Sequence, residues 1–483
     1  MADDQLHVVM FPFFAFGHVS PFIQLSNKLS SHGVRISFFT IPGFIPRIQN
    51  LLIPSPTTQI VPLQLPPSLG FPPNIAGTFD FPSSVSPKFV VAIDLIQPQV
   101  KALLSELKPD FVLLDFAQNW LPSLASELGI KTMLFSVFSG IANAYLLAPG
   151  RLTGIEGPPS VDDLRRPPQG FPKRFGRNNV NVADSSSDLI KTFEAQNILF
   201  VYKSKISENA SIYDRFQGGL SGSTAVVIKS CFEMEGPYLD FMKSQLNKPF
   251  IVTGPLVPQP PSEKLDAKWD KWLAQFPSKS VIFCSFGSEA VLNQEQIREV
   301  ALGLELTGLP FLLVLHFPAK VNAKTELEHA LPIGFFERTK DMGIVHVGWV
   351  PQQLILRHNS VGCYLCHAGF SSLIEGLVND CQLVLLPLQG DQFFNSMLMC
   401  ENGIMKAGIE VNRRDRDGYF GKEDIFAAVQ TIMTEIEKEP GKSIRSNQKK
   451  WHKFLQEKDV QEKYISDMIS EMKKILVDNP FVD

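Results

Sequence analysis

The sequence predicts an α/β protein built from two doubly wound halves, each a parallel sheet wrapped in helices, and three observations carry that expectation. Short, uniformly apolar runs recur along the chain (HVVMF, RISFFT, FVLLDF, SVIFCSF, FLLVLHF, VGCYLC), the pattern of strands buried on both faces. Longer helical stretches separate them, as strand–helix alternation around a parallel sheet requires. The series then breaks at a Pro-rich connector, LVPQPPS, and restarts; 483 residues are too many for one ordinary domain and suit two. The expected division is residues 1–255, a linker at 256–262, and residues 263–455, with a final amphipathic helix of about 456–483 packing back onto the first half.

Composition bounds the function. A net charge of −4 offers no basic field for a polyphosphate, so nucleic acid is not an expected partner. No apolar run reaches the roughly 18 residues of a spanning helix. The start, MADDQLHVVMFPFF, is acidic and enters a strand without a basic leader, so a cytoplasmic monomer acting on small molecules is the expectation. Six cysteines make no disulfide framework. Cys363 and Cys366 form C-x-x-C, but on a strand they face opposite sides, and no second pair completes a zinc site; they are read as core thiols.

In the first half, a strand running to about Phe14 precedes a loop with Gly17 and His18, and Ser20-Pro21 resembles the start of the next helix. His18 therefore sits at the carboxyl edge of the first strand, where open α/β sheets hold ligands, although a loop histidine can equally be solvated. His32, before Gly33, reads as a helix C-terminal partner. Residues 45–86, rich in Pro, read as loops. FVLLDF ends in Asp115, which either caps LPSLASEL or accepts the N–H of His18 and fixes its tautomer. Residues 149–222 gather Pro, Arg, Asn and Ser and read as a specificity insert. With 38 phenylalanines against 7 tyrosines, a cleft wall made of Phe14, Phe16, Gly17, Phe116 and Trp120 would be apolar and suit a flat or lipophilic acceptor.

In the second half, SVIFCSFGSEA is strand and glycine turn, and Ser288 can donate to a phosphate or cap the turn. The densest stretch runs from Trp349 to Gln392. VGCYLCHAG followed by SSLIEGLVND is strand, glycine turn and helix, so the helix N–H groups and dipole face an anion site at His367 and Gly369. Ser371 and Ser372 add hydroxyls, Glu375 offers a carboxylate to ribose hydroxyls, Trp349 a face for a base, and Asp391 and Gln392 lie beyond a strand end where they can read a sugar.

At these residues the chain resembles the UDP-sugar-dependent glycosyltransferases of plant secondary metabolism, family 1. Trp349, Gln352, His367, Gly369, Ser372, Glu375, Asp391 and Gln392 fall at the spacing of that family's signature. Ala368, Phe370 and Ser371 stand where most members have Cys, Trp and Asn. The run CQLVLLPLQGDQFFN is similar to the subgroup that adds a sugar to the sugar of a flavonoid or terpenoid glycoside. The resemblance implies a GT-B fold of two facing Rossmann-like domains, acceptor in the first and donor in the second. It also implies an inverting transfer with His18 as general base and Asp115 its partner, and Ser288, Trp349, Val350, Gln352, His367, Gly369, Phe370, Ser371, Ser372, Glu375, Asp391 and Gln392 as donor contacts. UDP-glucose, UDP-rhamnose and UDP-xylose all fit as co-substrate, without metal or other cofactor, and a glycoside sugar or an aglycone hydroxyl as acceptor. Asp415-Arg416-Asp417 has the Asp-x-Asp form of a metal-holding motif but precedes Gly418 and reads as a polar turn. A nucleotide-dependent oxidoreductase would need the dinucleotide glycine loop that is missing here, and a non-catalytic sensor would not need His18 and Asp115.

Overall fold

In the computed structural model the described residues are 5–72, 75, 77–78, 86–172, 174–175, 181–182, 189–206, 210–260, 263–287, 289–317, 322–400 and 404–478. The first half contributes β1 (His7–Phe11), β2 (Arg35–Thr40), β3 (Thr58–Pro62), β4 (Phe111–Leu114), β5 (Lys131–Ser136), a two-residue-per-strand hairpin β6 (Arg174–Phe175) and β7 (Asn181–Val182), β8 (Ala225–Ile228) and β9 (Phe250–Val252). The second contributes β10 (Val281–Ser285), β11 (Phe311–Leu315), β12 (Gly343–Val347), β13 (Val361–Cys366), β14 (Gln382–Leu385) and β15 (Gly408–Glu410).

Two parallel sheets result, ordered β3-β2-β1-β4-β5-β8-β9 and β12-β11-β10-β13-β14-β15. In each, the first strand of its half pairs with the second on one side and the fourth on the other: Met10 faces Phe38 and Leu113, while Ser285 faces Val314 and Cys366. The winding reverses between those two neighbours, and the crevice beyond their carboxyl ends is where such sheets hold ligands. The pleat sends alternate side chains to opposite faces. Cys363 and Leu365 join one apolar cluster and Tyr364 and Cys366 the other, so both faces of β13 are covered and its two cysteines point apart.

The chain returns at its end. The helix Lys458–Asp478 lies on the first half, where Lys28 donates to Gln461 at 3.0 Å, His32 pairs with Glu462 at 3.0 Å, and the Tyr464 hydroxyl reaches Glu233 at 2.8 Å. His32 also caps its own helix, Nδ1 donating to the Lys28 carbonyl at 2.9 Å. On these contacts we propose the division 1–255, 256–262 and 263–455 with 456–483 returned to the first unit; at the boundaries themselves, residues 1–4, 261–262 and 479–483 lie outside the described ones.

Two local expectations are corrected. The first strand stops at Phe11, and the helix that follows starts at Phe16, so His18 lies in its first turn and Ser20-Pro21 inside it. Ala15 supplies no side-chain cap, and Pro21, lacking an N–H, leaves the carbonyl of exposed Gly17 without its helical donor. The segment 45–86 is not all loop, for it carries a helix at Ile45–Leu51 and the edge strand β3. An edge tolerates the terminal Pro62, which local pattern alone reads as a strand breaker.

Arg215 ties the loop after β4 in place. Fully buried, it pairs with both oxygens of Asp94 at 2.6 and 3.0 Å and donates to the Ala117 carbonyl and the Asn119 side chain. Arg215→Ala strands the Asp94 carboxylate, so chemical denaturation is expected to show a loss of about 3–5 kcal/mol.

Candidate functional site

The first wall is built at the β1/β4 junction. His18 Nδ1 lies 2.8 Å from Asp115 Oδ2. The same oxygen accepts the Phe13 N–H at 3.1 Å, and Oδ1 accepts the Phe116 N–H at 2.7 Å. Asp115 is 2% exposed, and its own N–H is held by Gln118. A carboxylate only accepts, so Nδ1 carries the proton and Nε2 is the free base nitrogen. Burial pulls the His18 pKa down, but the Asp115 carboxylate outweighs it, with Asp391 and Glu289 adding from the other half, and the pKa ends raised. The rings of Phe13, Phe116 and Phe138 stand 5.5 to 5.6 Å from the imidazole. Such a nitrogen can take a proton from a hydroxyl set in an apolar frame.

The second wall comes off β10 and β13. Gly369 opens the helix Phe370–Val378 without a side-chain cap, which leaves its first N–H groups directed outward. The His367 ring is packed so closely between Gly287 and Gly369 that a Cβ on either would come within 2.8 and 2.6 Å of it. Gly287 is moreover at φ +73, a conformation side chains strain. Burial drops the His367 pKa to about 4, so the ring is neutral and can donate one N–H; its Nδ1 is buried and unbonded among the described residues. Glu375 is oriented by Gln352 at 2.7 Å and Gln353 at 3.3 Å. Trp349 is half exposed, with Phe16 against it edge-on at 5.2 Å and the Arg47 guanidinium 5.0 Å over its ring; Val350 beside it is buried. The Gln392 carbonyl oxygen accepts the N–H groups of Leu388 and Gln389, and Asp391 is braced by Asn395 at 2.8 Å.

The walls meet where Asp391 acts on His18 and Phe16 packs on Trp349: His18 and Asp115 belong to the first, and Trp349, Gln352, His367, Gly369, Ser371, Ser372, Glu375, Asp391 and Gln392 to consecutive elements of the second, with the Ser372 hydroxyl turned toward buried Tyr364. Ser288 lies outside the described residues. Among the acceptor-wall residues, Phe116 touches His18, Phe16 touches Trp349, and Gly17 is exposed. Phe14 is fully buried and packs on Phe11, as does the half-buried Trp120. Phe370 is buried beneath the helix start.

Sequence reading missed four contributors. Lys229, following β8, donates to Ser371 Oγ at 2.6 Å across the two halves. Glu289 receives the Thr78 hydroxyl at 2.7 Å and acts electrostatically on His18; burial raises its own pKa. Asn395 accepts from Ser139 at 2.6 Å and donates to the Ala368 carbonyl, joining the halves behind Asp391. Gln353 is the fourth. A run such as VVIKS, a lysine closing an apolar strand, was the available signal for Lys229. Asp415 and Asp417 form a turn, the former bonded to Thr192 and the latter to the Tyr419 N–H. Among the described residues no group of three or more His, Cys, Asp or Glu is placed to hold a metal, and no helix is long and apolar enough to cross a membrane.

Residues 189–440 match the family described as UDP-glucoronosyl and UDP-glucosyl transferase. Over 471 residues, 98% of this chain and 97% of the relative, the sequence is 54% identical to an anthocyanidin-3-O-glucoside rhamnosyltransferase of Petunia hybrida. It is 38% identical over 477 residues, 99% of this chain and all of the relative, to a cyanidin 3-O-galactoside 2''-O-xylosyltransferase of Actinidia chinensis var. chinensis. The solved structure of Phytolacca americana UGT2 with UDP-2fluoro-glucose and pterostilbene shares the fold at a TM-score of 0.73 and 21% identity, covering 97% of this chain and 100% of that one.

Two outcomes are expected. Asp115→Asn should cut turnover by ~10²–10⁴. Because the carboxylate is what lifts the His18 pKa against burial, the acid limb of the rate profile, where activity is lost as pH falls and His18 gains its second proton, should move to lower pH. Gly369→Ala should push the His367 ring aside and weaken binding of a nucleoside diphosphate roughly tenfold or more, the worth of one hydrogen bond to a charged group, as read by calorimetry.

Proposed function

The chain belongs to this UDP-glycosyltransferase family and has its GT-B arrangement, and from that premise we propose that it transfers a sugar from a UDP-sugar to a sugar hydroxyl of a flavonoid glycoside, with inversion. The observation that carries the reading is the His18–Asp115 pair, whose imidazole is faced by Asp391 and Glu289 of the opposite half. His18 Nε2 removes the acceptor proton as the hydroxyl oxygen attacks the anomeric carbon, and UDP departs from the other side of the sugar ring. Asp115 holds the imidazolium that forms. Trp349 and Val350 seat the base, Gln352 and Glu375 the ribose, and His367, Gly369, Ser371, Ser372 and the helix end the diphosphate. Asp391 and Gln392 hold the transferred sugar. Neither metal nor other cofactor enters this scheme, since the helix N-terminus already turns donors toward the phosphates.

Two features favour a sugar over a phenol as acceptor. The two relatives act on a glucoside and a galactoside by name. A sugar also has adjacent hydroxyls, so that while one gives its proton to His18 the next can donate to the Glu289 carboxylate held by Thr78. For the donor, UDP-rhamnose comes first, on the relative at 54% identity. A cytosolic monomer is the form we propose.

His18→Ala should lower transfer by ~10²–10⁴, the worth of a general base, while calorimetry shows UDP binding close to wild type; lost binding with retained turnover would reverse the assigned roles. Offered UDP-rhamnose, UDP-xylose and UDP-glucose with anthocyanidin and flavonol 3-O-glycosides and their aglycones, the enzyme should give disaccharide products by mass spectrometry. Turnover on the aglycones alone would refute the sugar-acceptor reading.

A further inference from the structure

Lys229 belongs to the first sheet, directly after β8, but its side chain serves the second. It is 1% exposed, its ammonium donates to Ser371 Oγ at 2.6 Å, and the Phe370 ring centroid is 5.6 Å away. The partner it bonds is a neutral hydroxyl. A buried ammonium satisfied by a neutral group bears a desolvation cost that an ion pair would offset. That stored positive charge adjoins the uncapped start of the helix Phe370–Val378, whose N–H groups and dipole already favour an anion. Ser371, in turn, accepts from the lysine and so has its own hydroxyl hydrogen free to donate outward. The pair thus sets a short serine on the helix against a long cation from across the cleft.

We infer that Lys229 is a donor-site residue supplied by the acceptor-binding half: together with Ser371 it faces the diphosphate of the UDP-sugar and balances the charge that builds on the leaving UDP. This rests on the function proposed above. In the step, the acceptor oxygen forms its bond to the anomeric carbon, the bond from that carbon to the β-phosphate oxygen breaks, His18 keeps the proton, and the electron pair goes to UDP. Lys229 stays protonated and gives nothing up. The charge supplements the single N–H that neutral His367 offers. The donor site thereby needs both halves in place, since its cation hangs from the wall of the first.

Burial, opposed by Glu375 from the facing helix and Asp391 from the loop before the next, brings the Lys229 pKa down to about 8. Its charge is therefore present below that value and lost as pH rises through it, which gives a test on the unaltered protein. Calorimetric affinity of the full chain for UDP should weaken between pH 7 and 9. Lys229→Met should bind UDP roughly tenfold or more weaker at pH 7, show no such fall, and lose about 10²-fold in kcat, the scale of one group aimed at developing charge. Lys229→Arg should keep most of the affinity and remove the fall below pH 9. A wild type whose UDP affinity is flat from pH 7 to 9, or a folded Met variant with wild-type affinity and turnover, overturns the inference. If the Met variant does not fold, the wild-type titration and the Arg variant decide. A wild type that binds no UDP at any pH removes the UDP-sugar reading and this inference with it, whereas pH-flat binding removes this inference alone.

Discussion

Everything chemical in this protein depends on one constraint of parallel sheets: where the winding order reverses, the ends of two neighbouring strands open a crevice that no helix fills. Both halves use it. In the first, β1 and β4 bring His18 and Asp115, 97 residues apart in the chain, to 2.8 Å. In the second, β10 and β13 set the Gly287 turn against His367. With the two crevices face to face, an imidazole with a free Nε2 on one wall and an uncapped helix start on the other address a single space between them.

Burial then determines the protonation state of each group in that space. His18 and His367 are both withdrawn from water, but His18 has a carboxylate at hydrogen-bond distance and ends with a raised pKa, while His367 has none and falls to about 4. The same fold thus makes one imidazole a base able to carry charge and the other a neutral donor. Glu375, Asp391 and Glu289 are pushed upward by the same desolvation, so three acidic groups are gathered about the space between the walls. Lys229 is the described cation set among them, and its depressed pKa records the same balance. Packing supports the electrostatics: with glycine on both sides, the His367 ring is held in one orientation, and Asn395 and Ser139 lock the halves behind Asp391.

What the sequence by itself determined is whatever is encoded by near neighbours. Uniform apolar runs marked β1, β2, β4, β10, β11 and β13, because strands covered on both faces need no alternation. The strand–glycine–helix order at 361–378 was legible, and Trp349 to Gln392 could be read as one motif because its residues are held by consecutive elements. His18 and Asp115 were legible individually as polar residues at strand ends. Where local pattern misled, as at Pro62 and Pro21, the deciding fact was an edge position or a solvated carbonyl, which neighbours in sequence do not disclose.

Only the tertiary structure decided the rest. Thr78 meets Glu289 across 211 residues, Ser139 meets Asn395 across 256, and Lys229 meets Ser371 across 142. None of these pairs leaves a periodic or motif-like trace, since each partner sits in a separate element, Ser371 and Asn395 in the first turns of two helices and the others outside the regular strands, with an ordinary local sequence. Their proximity arises from strand order and from the docking of one sheet's crevice on the other, and the free energy of both is spread over many side chains in two cores, so that no short stretch of sequence carries it.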